Sequence, residues 1–381
     1  MKTFYQDLRL GILGGGQLGR MLVQESINYN STTWVLDPDE DAPCKNICHH
    51  FVVGSLMDYD AVYHFGKQVD ILTIEIEQVN VDALDQLELE GVQVYPQARV
   101  IRMIQDKGLQ KQFFETHNIP SSSFQLISSK EQLSLASISF PYIQKLRRGG
   151  YDGKGVYKLH SEVDFENAFE APSLIEKWVD LDKEIAIIVA RNANGEIKTF
   201  PCVEMEFNTE ANLIESLIAP AELDSQITHR AQQLATKIVE SLELIGIMAV
   251  ELFLTKEGEL LVNELAPRPH NSGHQTIEGN YTSQYGQHLR AIFNLPLGDT
   301  HQKAYSVMVN LLGSSDHLGS AKILGLDEVL SLSGVYFHWY GKKYTKPFRK
   351  MGHVTVIDTN REKAIEKARF VQKKIRIETE L

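Results

Sequence analysis

The chain has 381 residues, which exceeds one typical domain and predicts two or three. Its hydrophobic content of 43% and charged content of 23% are ordinary for a globular enzyme. The formal net charge of -12 argues against a general nucleic-acid or membrane-surface binder, because such proteins need a basic surface. Small molecules, including anionic ones bound at a local basic site, remain the expected partners.

The three cysteines, Cys44, Cys48 and Cys202, are sparse and odd in number, which predicts reduced thiols and a cytoplasmic location. His49 and His50 follow Cys48, but no second ligand pair with zinc-site spacing follows, so a structural metal is disfavoured there. The N-terminus has no signal-peptide pattern, and no apolar run is long enough to cross a bilayer.

Short apolar runs alternate with helical patterns over residues 8–98, which predicts a parallel sheet covered by helices. The predicted strands are residues 9–13, 32–36, 51–53, 71–76 and 92–95, and residues 18–28 and 58–69 are predicted helices. We assign residues 1–100 to this Rossmann-like N-terminal domain.

A glycine-rich turn, Gly14-Gly15-Gly16-Gln17-Leu18-Gly19, follows the first predicted strand, and Asp37 ends the second. This spacing is the dinucleotide fingerprint, in which a helix N-terminus binds a phosphate and an acid binds a ribose. An NAD-dependent oxidoreductase is therefore one hypothesis. The same turn suits any nucleotide-like phosphate, and the rest of the chain has no feature of hydride chemistry.

Glu75 and Glu77 stand two residues apart at the end of the fourth predicted strand, and period-two geometry points both to one face. Ligands of open parallel sheets bind beyond the carboxyl ends of strands, so these acids are candidates for binding substrate hydroxyls or an amine. A solvated strand end is the alternative.

Residues 101–300 are predicted to form a second α/β domain, with a lid at about residues 120–178. A helix is predicted over residues 106–117, strands over residues 140–145 and 174–178, a longer β region from residue 185, and an amphipathic helix over residues 226–244. The loop between the first two of these strands holds four glycines and three basic residues within residues 147–155, and the strand-borne Lys145 before it is a fourth basic residue. Glycines let backbone amides approach phosphate oxygens, so a phosphate-binding lid is favoured over a mobile hairpin turn, although the spacing is not that of a Walker P-loop.

Glu176 ends the strand that follows this loop, and Glu184 lies eight residues later. An acid at a strand end beside exposed backbone can bind an adenine amino group and ribose hydroxyls. An ordinary surface glutamate is the alternative.

Residues 248–254 and 259–265 are predicted to form an apolar hairpin. If its loop centres on Glu257 and Gly258, facing residues have numbers that sum to 515, which places Glu251 opposite Glu264. Two carboxylates opposed on one face repel each other, and a hard divalent cation resolves that repulsion. Mg²⁺, which keeps water and substrate phosphates among its ligands, fits best; a solvated hairpin is the alternative.

The irregular loop Arg268-Pro269-His270-Asn271-Ser272-Gly273-His274 follows directly, and its Arg, His, Asn and Ser side chains suit stabilisation of a charged transition state. Residues 301–381 are predicted to form a small C-terminal domain with strands over residues 305–311, 335–339 and 353–357 and a final helix over residues 361–375. A basic cluster in this domain suggests a phosphomonoester site rather than a solvated loop; its members are Lys342, Lys343, Lys346, Arg349 and Lys350.

Together these segments resemble an ATP-grasp enzyme, specifically the 5-(carboxyamino)imidazole ribonucleotide synthases of purine biosynthesis. The resemblance runs from residue 13 to residue 353, and its most specific pieces are residues 148–155, 263–274, 338–342 and 349–353. It implies an α/β ATP-grasp fold in which a Rossmann-like pre-ATP-grasp domain precedes a central domain with a glycine-rich lid and a small C-terminal domain.

The resemblance also assigns residues to ligands. ATP would be surrounded by Lys107, Lys145, Gly150, Gly153, Gly155, Glu176, Val179, Glu184 and Asn263. Mg²⁺ would be held by Glu251 and Glu264. The reacting groups would be surrounded by Tyr151, Asp152, Lys154, Arg268 and His270. The ribonucleotide substrate would be bound by Gln17, Leu18, Glu75, Lys342 and Arg349.

The implied reaction is phosphorylation of bicarbonate by ATP, followed by carboxylation of the exocyclic amine of 5-aminoimidazole ribonucleotide by carboxyphosphate or by CO₂ released from it. ATP and Mg²⁺ are the expected cofactors, without biotin or NAD, and a homodimer is the expected assembly. Another ATP-grasp carboxylate ligase or a formate-using transformylase is the nearest alternative, and a catalytically inactive nucleotide-binding regulator is the non-enzyme alternative.

Three positions depart from the family pattern. Lys107 stands where many members have an arginine, and Phe207 stands where relatives often have a histidine. The sequence Pro347-Phe348-Arg349 replaces a usual Pro-Gly-Arg, which leaves both Lys342 and Lys343 open as the phosphate ligand.

Overall fold

The computed structural model describes residues 8–150, 155–208, 213–314 and 317–380. Tyr151, Asp152, Gly153 and Lys154, which were predicted to act in the lid, lie outside the described residues. No helix within the described ranges is long and apolar enough to cross a membrane.

The N-terminal region is the predicted parallel sheet with its covering helices. Its strands are β1 (Arg9–Leu13), β2 (Thr32–Asp37), β3 (His50–Val53), β4 (Ile71–Ile74) and β5 (Gln93–Tyr95). Its helices are α1 (Gln17–Ser26), α2 (Tyr59–Gly66), α3 (Val81–Leu89) and α4 (Ala98–Ile104). The strand order is β3-β2-β1-β4-β5, so the chain adds β2 and β3 on one side of β1 and β4 and β5 on the other. A ligand crevice is expected beyond the carboxyl ends of β1 and β4, where this change of side occurs.

The lid is a separate four-stranded antiparallel sheet in the order β6-β9-β7-β8. It follows helix α5 (Lys107–Thr116) and consists of β6 (Phe124–Ile127), β7 (Tyr142–Leu146), β8 (Val156–Leu159) and β9 (Ser173–Lys177). The predicted glycine-rich loop joins β7 to β8. Strands β7 and β9 were predicted to within two residues, and β8 was not predicted.

One nine-stranded sheet forms the rest of the central region and continues into the C-terminal region. The remaining strands are β10 (Leu181–Arg191), β11 (Ile197–Thr199), β12 (Val203–Asn208), β13 (Leu213–Ala219), β14 (Gly246–Thr255), β15 (Leu260–Ala266), β16 (Tyr305–Leu312), β17 (Gly319–Leu324), β18 (Val335–Trp339), β19 (Tyr344–Thr345), β20 (Lys350–Asp358) and β21 (Arg376–Thr379). The remaining helices are α6 (Ser225–Ser241), α7 (Thr276–Gly279), α8 (Gln284–Ile292), α9 (Leu326–Leu330) and α10 (Arg361–Lys374).

The large sheet has the order β15-β14-β10-β12-β13-β16-β20-β18, with β11 paired to β10. A separate three-stranded sheet has the order β19-β17-β21. Because β13 pairs with β16, the C-terminal region shares backbone hydrogen bonds with the central region across residue 300. That continuity was not visible in the sequence, and it fixes the C-terminal strands relative to the loop that follows β15.

Helix α6 packs its predicted apolar stripe against the large sheet. Ala231, Leu234 and Ile238 are buried in a core that also contains Ile187 of β10 and Val250 of β14. This packing holds the hairpin of β14 and β15 rigidly, which matters because the hairpin bears the acidic pair.

Candidate active site

Glu251 and Glu264 face each other in the β14–β15 hairpin, as predicted, but the predicted register is wrong next to the turn. There the facing pair is Leu254 with Leu260, so the numbers sum to 514 and the loop is odd in length. A β-bulge at Asn263 adds one residue and restores the sum of 515 beyond it. The bulge therefore brings the two carboxylates together and also turns Asn263 toward the site.

The two carboxylates differ in their surroundings. Burial and the neighbouring charge of Glu264 raise the pKa of Glu251 to about 8. Burial acts to raise the pKa of Glu264 as well, but the charge of Lys107 outweighs it and lowers that pKa. Lys107 forms an ion pair with Glu264, and the Nε2 atom of His270 lies 3.7 Å from Oε1 of Glu251.

Two oxygen donors on one face fit a magnesium ion that completes its coordination with phosphates and water. Among the described residues no group of three or more His, Cys, Asp and Glu side chains forms a complete metal site. The chemistry of the donor set and the raised pKa of Glu251 thus both suit a divalent cation that arrives with a substrate.

A cluster of lysines lies beside the acidic pair. Lys111 and Lys145 each place Nζ 2.7 Å from a carboxylate oxygen of Glu176, and Lys145 also donates to Oδ1 of Asn263 at 3.1 Å. Glu176 and Lys111 are almost fully buried. One carboxylate therefore forms ion pairs with two ammonium groups. Its single negative charge leaves excess positive charge where the predicted phosphates would bind.

Helix α5 positions two of these lysines and the base of the lid. Lys107 and Lys111 are four residues apart, so they project from one face of the helix toward Glu264 and Glu176 respectively. Asp106 is the N-cap of this helix and accepts hydrogen bonds from Nε and a terminal nitrogen of Arg147 at 2.8 and 2.9 Å.

Gly108 permits this approach, because a Cβ atom built at that position would lie 2.6 Å from Nε of Arg147. Asp106 also contacts Arg148 at 3.3 Å, so the two arginines that precede the glycine-rich loop are both anchored to the start of α5.

The other predicted ATP residues lie around this cluster. Glu184 stands on β10 one strand away from Glu251, and burial raises its pKa. Gly150 and Gly155 close the base of the lid loop, and the carbonyl of Gly155 accepts from the amide of Leu146 at 2.8 Å. Val179 lies in the segment between β9 and β10. The carboxylate of Glu176 contacts lysines rather than being free at the surface.

The crevice of the N-terminal sheet meets the same site through Arg268. Its Nε atom lies 2.8 Å from Oε1 of Glu77, which follows β4. Strand β4 ends at Ile74, so Glu75 and Glu77 both lie just beyond its carboxyl end. The loop after β15 therefore contacts the acidic pair through His270 and the crevice of the N-terminal sheet through Arg268.

The glycine-rich turn is occupied by side chains of the chain itself. Glu75 accepts hydrogen bonds from the amides of Gly16 and Gly19, both at 3.0 Å, and Asp37 accepts from the amide of Gly15 at 2.6 Å. Asp37, for which the fingerprint predicts a ribose contact, stabilises the turn with its carboxylate. Gln17 and Leu18 begin α1 directly beside Glu75, where the predicted substrate contacts would be.

The basic cluster faces the N-terminal domain across a small pocket, which is lined by Asp39, Asp41, Pro43, Lys342, Lys343, Tyr344 and Arg349. Lys343 forms an ion pair with Asp41 at 2.9 Å. Lys342 donates to the carbonyl of Lys350, and Arg349 donates to the carbonyl of Tyr344. Asp41 therefore neutralises one cation of this cluster, Lys343.

Three family models match the chain in order. They describe a ribonucleotide synthetase preATP-grasp domain over residues 8–105, an ATP-grasp domain over residues 112–285 and a phosphoribosylaminoimidazole carboxylase C-terminal domain over residues 306–367. The N5-carboxyaminoimidazole ribonucleotide synthase of Bacillus subtilis is 36% identical over 362 residues, which cover 93% of this chain and 92% of that protein. The chain belongs to this family.

Members of the N5-carboxyaminoimidazole ribonucleotide synthase family are ATP-grasp ligases. The chloroplastic phosphoribosylaminoimidazole carboxylase of Vigna aconitifolia is 39% identical over 363 residues, but this chain spans only 65% of its length. The crystal structure of the N5-carboxyaminoimidazole ribonucleotide synthetase from Thermotoga maritima matches with a TM-score of 0.91 at 41% identity, over 98% of this chain and 100% of that one.

A crystal structure of the Aspergillus clavatus synthase in complex with ADP and 5-aminoimidazole ribonucleotide matches with a TM-score of 0.88 at 31% identity, over 97% of this chain and 98% of that one. Family membership confirms the predicted three-part ATP-grasp architecture. It also excludes the hypothesis of an NAD-dependent oxidoreductase. The hydrogen bonds of Glu75 and Asp37 to the glycine-rich turn agree with this.

Two residues of the synthase site were not predicted. Lys111 carries a signal in the sequence, because it lies one helical turn after Lys107. Asp106 was noted only as the start of a helix, and nothing in the sequence indicates that it contacts arginines about 40 residues later. The Cys44–His50 segment has structural roles: His49 accepts from the amide of Thr33 at 3.1 Å, and the ring of His50 stacks on Trp34.

Proposed function

We propose that this chain catalyses the reaction for which its relatives are named, the ATP- and bicarbonate-dependent carboxylation of 5-aminoimidazole ribonucleotide to N5-carboxyaminoimidazole ribonucleotide. One observation carries the proposal: a single loop joins the acidic pair to the N-terminal crevice, through contacts of His270 with Glu251 and of Arg268 with Glu77. A nucleotide on one side and an amine substrate on the other would thus meet at the same two side chains.

In the first step an oxygen of bicarbonate attacks the γ-phosphorus of ATP, and ADP leaves. Lys107 and Lys145 lie where they would neutralise phosphate charge, and Arg268 would orient the bicarbonate. Mg²⁺ held by Glu251 and Glu264 would supply further neutralisation of the phosphates when bound.

In the second step the amine nitrogen attacks the carboxyl carbon of carboxyphosphate, or CO₂ formed from it, and phosphate leaves. The amine must also lose a proton, and Asp152 is the residue we expect to accept it. Carboxyphosphate decomposes in water, so the lid, together with Tyr151 and Lys154, would need to exclude solvent. Lys342 and Arg349 would bind the phosphate of the ribonucleotide, with Glu75, Gln17 and Leu18 near its base.

The proposal predicts that ADP release with Mg-ATP requires both 5-aminoimidazole ribonucleotide and bicarbonate. Omission of either is expected to reduce ADP release to the slow background rate, because no carboxyl acceptor or donor is then present. Parallel reactions with formate and with phosphoribosyl glycinamide test the transformylase alternative. A rate that 5-aminoimidazole ribonucleotide does not stimulate would refute the substrate assignment and leave the fold unaffected.

A second prediction concerns the base of the lid. Replacing Asp106 with asparagine keeps an effective N-cap but removes the charge that holds Arg147. We expect the KM for ATP to rise roughly fivefold to tenfold, the equivalent of about 1 kcal/mol, with little change in melting temperature. Steady-state kinetics provides the measurement. The matched control is Asp82→Asn, which breaks the exposed pair with Arg102 and should leave KM unchanged.

We further expect the protein to be cytoplasmic, as its few cysteines indicate, and to be a homodimer, as the family resemblance implies. Analytical ultracentrifugation at micromolar concentration tests the assembly, and a monomer at all concentrations would contradict it.

A further inference from the structure

A row of three polar side chains crosses the C-terminal part of the large sheet. Asn310 of β16 faces His353 of β20, and His353 in turn faces His338 of β18. Directly opposed residues of neighbouring antiparallel strands project from one face of the sheet, so these three side chains form a continuous row. The other face of the same strands packs on α10 through residues such as Val354 and Val356.

Each member of the row contacts a different residue of the segment 271–278, which follows the loop residues Arg268 and His270. Asn310 and Asn271 exchange two amide hydrogen bonds of 2.9 and 3.0 Å. The ring of His353 stacks on that of His274, with centroids 4.7 Å apart. Nε2 of His338 lies 2.8 Å from Oε1 of Glu278.

The segment held by the row begins at the residue after His270. A second anchor holds His270 itself, because Gln284 of α8 accepts from its amide and donates to its carbonyl, both at 2.8 Å. The loop that carries Arg268 and His270 is therefore fixed by the central domain on one side and by the C-terminal strands on the other.

The buried polar side chains of the row lower the free energy of unfolding relative to apolar side chains in the same place. Asn310, His353, Asn271 and His274 are all more than nine-tenths buried. Among the described residues, Nε2 of His353 and Nε2 of His274 have no hydrogen-bond partner, and burying unsatisfied polar atoms opposes folding. Apolar side chains would pack the same space at lower cost, whereas a reciprocal amide pair and stacked rings fix one relative position of the two elements.

We propose that Asn310, His353 and His338 are positioning residues, which hold the Arg268–His270 loop in its reactive arrangement, so that the C-terminal region contributes to the chemical steps as well as to binding the ribonucleotide phosphate. The inference rests on the proposed function. Its physical basis is that a displacement of about 1 Å of a catalytic group lowers the rate by as much as roughly 100-fold.

The test compares Asn310→Ser and His338→Ala with Thr355→Val. Thr355 is a matched control, because it lies on the same face of β20 two residues from His353, is buried, and its hydroxyl has no hydrogen-bond partner among the described residues. His338 is partly exposed, so its truncation should be tolerated even where a fully buried change is not. For both row variants we expect kcat to fall about 10- to 100-fold, with the KM for ATP within about twofold of wild type.

Two further readouts separate positioning from loss of fold. The ratio of ADP formed to 5-aminoimidazole ribonucleotide carboxylated should rise above one in the row variants, because carboxyphosphate would then be lost to water. Backbone hydrogen exchange of residues 268–279 should also accelerate, while exchange in the N-terminal sheet stays unchanged. Thr355→Val should behave as wild type in every assay.

The proposal is overturned if both row variants keep wild-type kcat, or if all three variants lose activity only in proportion to their folded fraction. The hydrogen-exchange measurement needs no substrate. Absence of ribonucleotide-stimulated turnover in the wild-type enzyme would therefore refute only the proposed function. The positioning role of the row would still be tested by whether the row variants accelerate hydrogen exchange of residues 268–279.

Discussion

Replacing Glu264 with glutamine is expected to lower ribonucleotide-dependent ADP release by at least about 1,000-fold, because a metal ion at a phosphoryl group supplies several kcal/mol of charge stabilisation. The substitution removes one of the two carboxylates that face each other in the hairpin and leaves Lys107 without its partner. The volume of the side chain is unchanged. The rate is measured at saturating Mg-ATP, bicarbonate and 5-aminoimidazole ribonucleotide.

The folded state should tolerate this change. The loss of the charge of Glu264 relieves repulsion with Glu251, which offsets the loss of the pair with Lys107. A melting temperature close to that of wild type is therefore expected. Glu257→Gln, an exposed change in the turn of the same hairpin, is the control and should retain full activity. Full turnover by Glu264→Gln at ordinary Mg²⁺ concentrations would exclude the acidic pair as the metal site.

Replacing Glu176 with glutamine should have the largest effect on stability. It leaves two lysines, Lys111 and Lys145, in a buried site without a counter-charge, and breaking a buried pair from one side typically costs about 3–5 kcal/mol. Urea unfolding at pH 7 measures the change. The control Asp180→Asn breaks an exposed pair with Lys256 and should cost less than about 1 kcal/mol. Equal effects of the two substitutions would contradict the buried arrangement.

The effect of Glu176→Gln should also depend on pH. Burial alone would raise the pKa of Glu176, but Lys145 and Lys111 outweigh it and lower that pKa to about 2. A carboxyl group whose pKa is lower in the folded state stabilises the protein above its unfolded pKa, here 4.5, and loses that contribution as pH falls toward 2. The difference between wild type and variant should therefore be constant above about pH 5 and should shrink on acidification. A difference that does not vary between pH 5 and pH 3 would show that the ion pairs are not responsible.

The acidic pair shows how far sequence reasoning reached. The alternation of the hairpin and the two glutamates indicated a shared face, and the structure confirms that face. The assumed turn was wrong, and the correct pairing arises from a bulge at Asn263. A bulge depends on how a strand packs against its neighbours, here β14 and α6, so no local pattern predicted it.

The C-terminal region shows the opposite case. Strands β16, β18 and β20 and the final helix were predicted to within three residues, because apolar periodicity is a local property, whereas β17, β19, β21 and α9 were not predicted. That these strands extend the central sheet, and that Asn310 would lie against Asn271, depends on pairing between β13 and β16 from distant parts of the chain.

The sequence by itself determined the three-part architecture, many of its strands and helices and a set of candidate site residues, because periodicity and motif spacing are local properties of the chain. Only the tertiary structure decided which partners those side chains meet: Glu176 with two lysines, Asp106 with the arginines of the lid, and Glu75 with the amides of the glycine-rich turn. These contacts join residues that are 31 to 65 positions apart in the chain. Their geometry depends on the packing of whole elements, and a linear pattern carries no record of it.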